Sequence, residues 1–255
     1  MIGGLLAAAA LTATAPASVS GVMDGPALRD AMESARRAPA ADLVGQRFQI
    51  SIPFVDERKR TMKVLQSPAR WRYDFSRGEL TLMIGLGQIS AQNYNHFDDQ
   101  GLKALPTLQT AFFDGDEVRS QATVETRDHD TVHQDVGVRS IVTNYGLAIP
   151  YADGVSALPP RFEPFMVQKL KMNQQTYHRL IRGMTLVLEG SVTDLGQKPA
   201  VFCGSYDGRL AAPDPRIDDT VRMLVTARQC FATAKIDHAS VLGTNGVVVA
   251  VWPKP

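Results

Sequence analysis

"RWRYDFSRGELTLMIGL", residues 70–86, decides the fold. Trp71, Tyr73 and Phe75 alternate with Arg70, Arg72 and Asp74, and Leu80, Leu82, Ile84 and Leu86 then recur at every second position. A period of two belongs to a strand with one face in a core and the other in water. "SRG" (76–78) has turn chemistry, so the two runs read as a hairpin. The same alternation precedes them in "RFQISIPF" (47–54), where Phe48, Ile50, Ile52 and Phe54 share a face. The first half is therefore predicted to be antiparallel sheet.

Further strands are expected at 120–126, 136–142, 145–151, 185–192, 200–206, within 221–236, and at 246–252. "TNG" (244–246) places an Asn-Gly pair between apolar runs, a strong hairpin signal. Two segments break the pattern. "MDGPALRDAMESARR" (23–37) reads as a helix with Asp24 as N-cap and Pro26 in the first turn. "EPFMVQKLKMNQQTYHRLIRGM" (163–184) reads as a longer one. There Phe162, Met166, Leu170, Tyr177, Leu180, Ile181 and Met184 form a stripe, with Lys169, Lys171, Arg179 and Arg182 largely off it. The proline-rich "DGVSALPPRFEP" (153–164) marks a boundary. The expected fold is a β-rich α+β protein, mostly antiparallel sheet in two lobes linked by this amphipathic helix. Residues 18–158 would carry the N-terminal helix and first lobe, and 159–255 the linking helix and second lobe.

The first 23 residues hold no charged side chain. An apolar run at 2–13 leads into Ala15-Pro16-Ala17, which fits the small-x-small rule of a secretory cleavage site. Residues 1–17 are read as a signal peptide and Ser18 as the mature start, although no Lys or Arg precedes the run. The run is short of the roughly 20 residues a membrane span needs, and no second one follows, so no transmembrane span is expected in the mature chain. The expected location is periplasmic or secreted. Cys203 and Cys230 are the only cysteines. An even count in an exported chain reads as one disulfide, and two buried free thiols are the other reading.

The composition, 44% hydrophobic and 21% charged, supplies a core and excludes disorder throughout. A net charge of +1 gives no global field toward nucleic acid. Charge is nonetheless uneven. Residues 47–77 carry eight Lys/Arg against three acids, and 98–135 carry nine acids against three bases. The two regions could face each other, or the basic strands, interleaved with Trp71 and Tyr73, could meet an anionic partner. Arg58, Lys59, Arg60, Arg70 and Arg72 are the candidate anion-binding residues, and the basic side of 163–184 carries the same two readings.

"RDHDTVHQD" (127–135) is the densest polar cluster. His129 and His133, with Asp130, would suit zinc if the segment were helical. Its flanks read as strands, so the spacing loses that meaning and the segment is expected to be a loop tip. His96, beside Asp98 and Asp99, sits in another polar stretch. His178 and His238 are single. No nucleophile elbow, P-loop or dinucleotide fingerprint is present, and no cofactor is expected. The leading expectation is an exported, non-catalytic binding or structural protein of the cell envelope. Its partner would be an anionic envelope component or another envelope protein, not nucleic acid. The alternative is an exported hydrolase with a metal-assisted or acid-base site near His96, His129 and His133.

Overall fold

A computed structural model describes residues 21–37, 43–59, 67–89, 108–128, 130–152, 155–194, 200–209 and 222–253. The elements are, in order, β1 (Val22–Met23), α1 (Gly25–Arg37), β2 (Arg47–Pro53), β3 (Val55–Asp56), β4 (Ala69–Asp74), β5 (Glu79–Gly85), β6 (Gly87–Ile89) and β7 (Leu108–Asp128). They continue with β8 (Thr131–Ala152), β9 (Val155–Ser156), β10 (Phe165–Lys171), α2 (Gln174–Ile181), β11 (Thr185–Val192), β12 (Val201–Arg209), β13 (Arg222–Leu242) and β14 (Val248–Trp252). Residues 1–17, expected to be a signal peptide, and Arg60, His96 and His129 lie outside the described residues.

Two sheets form, and the chain is β-rich α+β as expected. The larger runs β1-β2-β11-β13-β8-β7-β6, with β12 and β14 also paired to β13 and β9 to β8. The smaller runs β10-β5-β4-β3. Pairing is mostly antiparallel, but β8 and β13 run parallel from Gly137↔Arg222 to Ala148↔Thr233. Each sheet draws strands from both sides of the 158/159 position. β2 pairs with β11, and β5 pairs with β10.

The alternation at 47–53 and 69–74 lands as read. Phe48, Ile50 and Ile52 point into one core with Trp71 and Tyr73, and Arg72 points out. That core takes the inward side chains of both sheets together with Leu28 and Met32 of α1. Asp24 caps α1, its Oδ1 accepting the Ala27 N–H at 2.9 Å. Tyr145 of β8 ties the helix to the sheet by donating its hydroxyl to Glu33 at 2.8 Å. Burial first, and then Glu33, push that phenol up to about 12. A smaller cluster, Ile89, Leu108, Ala148, Phe202 and Phe231, sits on intervening positions of the same strands.

Two sequence expectations are corrected. Residues 163–184 are not one linking helix. They form β10, then α2, which starts after Asn173, whose side chain accepts the Thr176 N–H at 2.8 Å. Met166 and Leu170 are four apart, an even number as well as a helical turn, so both periods fit them. The deciding signal was Phe165, Val167, Lys169 and Lys171, which alternate outward along β10. The stripe still packs on the core, through Tyr177 and Met184 fully and through Met166, Leu170, Leu180 and Ile181 in part. The strands expected at 136–142 and 145–151 are one strand, β8. Thr143-Asn144 reads as a break, yet its backbone is paired on both sides, Asn144 to Gly115 and to Gln229.

The Asn-Gly signal held. β13 and β14 are antiparallel neighbours, joined through Asn245 (φ 60°) and Gly246 (φ 73°), both in the left-handed region such a turn needs. Gly190 answers a different demand. It sits where β11 shifts register against β13, and a Cβ there would lie 2.0 Å from the Lys235 carbonyl oxygen. Cys203 and Cys230 are opposite one another on β12 and β13 and are disulfide-bonded. No helix of the described residues is long and apolar enough to cross a membrane.

Candidate functional site: a cationic groove on the small sheet

The basic stretch folds into the small sheet, and the strand period puts its charge on the outer face. The register sets Arg70 beside Met83 and Val167, Arg72 beside Thr81 and Lys169, and Asp74 beside Glu79 and Lys171. Seven cations described on this sheet and its turns (Arg58, Lys59, Arg70, Arg72, Arg77, Lys169, Lys171) meet four acids (Asp56, Glu57, Asp74, Glu79). The face therefore keeps a positive excess after internal pairing.

The pairing is specific. Arg58 grips Asp56 with both arms, Nε to Oδ1 at 3.0 Å and Nη2 to Oδ2 at 2.8 Å, and its guanidinium stands 5.7 Å from the Trp71 ring centre. Lys59 is exposed. Arg70 has a buried Nε with no hydrogen-bond partner. Arg72 lies 3.9 Å from Glu57, within ion-pair reach but too far for a hydrogen bond. Glu79 is shared by Lys169 and Lys171, each at 3.3 Å. The long Arg72–Glu57 contact is the weakest of these, about 1 kcal/mol or less, so an incoming anion can compete for Arg72.

Between them lies an open groove of about 520 Å³, lined by Arg58, Arg72, Arg77, Lys169, Phe75 and Thr81 among others. Asp74 builds its end. It accepts the Ser76 hydroxyl at 2.6 Å and the Ser76 and Arg77 N–H groups at 2.9 and 3.1 Å, which fixes the turn carrying Arg77. Beneath, Tyr177 of α2 stacks on Tyr73 with ring centres 4.0 Å apart and meets Trp71 edge-on at 5.5 Å. Phe75 leans edge-on against both tyrosines and is 55% exposed, an aromatic ring presented to the groove.

The carboxylates here are held ionised. The Arg58 hydrogen bonds lower Asp56, and the Ser76 hydroxyl with the turn N–H groups lowers Asp74. Burial pushes Glu79 up, but Lys169 and Lys171 outweigh it and leave it lowered. These three carboxylates therefore keep their charge to lower pH than free ones.

The histidine cluster is placed differently. Residues 127–135 straddle the end of the β7–β8 hairpin, with β7 ending at Asp128 and β8 starting at Thr131. Asp130 is exposed there, and His133 lies on β8 opposite Thr126. His178 and His238 are exposed. Among the described residues no group of His, Cys, Asp or Glu could hold a metal. The described part of the acidic stretch from residue 108 on likewise lies on this hairpin, where Asp114 is bound by Arg29 at 3.0 Å and Glu117 by Arg119 at 2.7 Å, while Asp98 and Asp99 lie outside the described residues.

Of the expected anion-binding residues Arg58 and Arg72 line the groove and Lys59 and Arg70 do not, while Phe75 and Arg77 line it without having been expected to. The alternation puts Phe75 on the inward face, whereas the chain turns after Asp74 and swings it out. A helical reading of Lys169 hides its place on β10, across Thr81 of β5 from Arg72. The fold and groove define a two-sheet α+β chain with a cationic, aromatic-floored surface site. No family, no curated protein and no solved structure matches this chain.

Proposed function

We propose that the chain is an exported, non-catalytic binding protein of the cell envelope that holds an anionic partner in the groove on the small sheet. The groove carries this reading. Arg58, Arg72, Arg77 and Lys169 surround an exposed aromatic ring, and Arg72 and Arg77 lie 3.9 and 3.7 Å from their acids, too far for a hydrogen bond. Such a site offers charge to an anion and an apolar surface to the group that bears it. The Cys203–Cys230 bond supports a working place outside the reducing interior.

Cosedimentation with phosphatidylglycerol-containing vesicles tests the site. Wild-type protein is expected to bind at low salt and to dissociate above about 0.5 M salt, where the Debye length falls to a few ångströms. Arg72→Ala with Lys169→Ala should weaken binding at least tenfold, each cation near an anionic surface contributing about 1 kcal/mol. Affinity should be flat between about pH 5 and 8 and rise below about pH 4 as Asp56, Asp74 and Glu79 protonate through their lowered pKa values. Equal binding by the double variant, or none by wild type at low salt, would sink the proposal.

A further inference from the structure

We infer that the groove receives the acidic end of the β7–β8 hairpin from a second copy of this chain, making a head-to-tail contact. This rests on the reading that the groove takes an anionic partner, and it names the partner.

Charge carries the argument first. Residues 123–136, the end of the hairpin, hold four acids and one base, while the small sheet and its turns hold seven cations and four acids. The two fields are opposite in sign and close in size. They belong to a chain whose net charge is only +1, so copies are not kept apart by repulsion. Shape agrees. The hairpin's neighbouring strands are β6, β9 and β13, all of the large sheet. Among the described residues β6 pairs with 108–110 and β13 meets β8 from Gly137 onward, so the described strands at positions 123–136 are the hairpin's own two. Val136 and Asp130 are exposed there. The hairpin's tip is narrow, with Asp128 and Thr131 closing the ladder, and the groove is open and about 520 Å³. Donor and acceptor surfaces differ, so the contact is heterologous and each copy can both give a tip and take one.

Sedimentation velocity on the mature chain tests this with two variants. One neutralises the hairpin end (Glu125→Gln, Asp128→Asn, Asp130→Asn), and the other neutralises the groove (Arg72→Ala, Lys169→Ala). Wild type should assemble with concentration at about 50 mM salt and be monomeric at about 0.5 M. Each variant alone should associate at least tenfold more weakly than wild type. Mixed one to one, they should form a dimer and nothing larger, because only one intact tip and one intact groove remain between them. Wild type monomeric at low salt, either variant assembling like wild type, or a mixture that stays monomeric would overturn the inference. The hairpin variant keeps its groove and should bind phosphatidylglycerol vesicles as wild type does. Vesicle binding without self-assembly therefore defeats the docking alone, while absence of vesicle binding defeats the groove reading beneath it.

Discussion

Tyr177→Ala is expected to lower the unfolding free energy by about 3–5 kcal/mol, the cost of removing a buried aromatic ring. Tyr177 is 4% exposed and is the contact through which α2 lies on the small sheet. It stacks on Tyr73, meets Trp71 edge-on and touches Phe75, and aromatic pairs of this kind add about 0.5–1.5 kcal/mol beyond area burial. The melting temperature should fall by roughly 10 °C for a chain of this length. Groove affinity for vesicles should fall with it, because Phe75 loses one of the two rings it leans on. Tyr177→Phe keeps the ring and should cost under about 1.5 kcal/mol. Thermal and urea unfolding of both variants measures this. An alanine variant as stable as wild type would mean that α2 is not seated by this ring.

Removing the disulfide should have a similarly large effect at the far side of the molecule. Cys203 and Cys230 are separated by 27 positions, and closing a loop of that size is worth about 3.5 kcal/mol by chain entropy. Replacing both by alanine, or reducing the native protein, should lower the melting temperature by roughly 10 °C. The bond joins neighbouring strands that already share a ladder from Val201↔Ala232 to Arg209↔Leu224, so the fold should survive its loss. Coincident melts with and without reductant would contradict this. The two changes lie on different sheets, and the sheets share one core with strands from both halves of the chain. Both should therefore shift a single unfolding transition, and their costs should add, since the sites have no common partner.

How much of this was legible depended on whether local chemistry was decisive. In β2 and β4 polar residues alternate with apolar ones, so period, face and core membership could be read, and in β5 Leu80, Leu82 and Ile84 mark the core face although Met83 sits on the other one and Thr81 is buried. The Asn-Gly turn and the Asp24 cap were legible because few residues do those jobs. β10 failed because Met166 and Leu170 satisfy two periods at once, and the helix that does follow made the longer reading attractive. β8 failed at Thr143-Asn144 because polar character was taken for a turn, while the flanking strands that pair this backbone come from distant sequence. The parallel β8–β13 ladder had no local signal at all, since it joins residues some 85 positions apart. The site shows the same division. Arg70 and Arg72 are legible because they alternate with Trp71 and Tyr73, and Arg58 because of the basic balance of 47–77, whereas Lys169 joins the site only through the β5–β10 register, which carries the second half of the chain onto the first.

The account stands on export, with the Cys203–Cys230 bond as the working state. Intact-mass analysis with alkylation, on protein taken unreduced from its natural cells, tests that most directly. A chain beginning at Ser18, two hydrogens lighter than its dithiol form and blind to alkylating reagent until reduced, is the predicted result. A chain still carrying Met1, recovered from the reducing interior with Cys203 and Cys230 both alkylated, would contradict it.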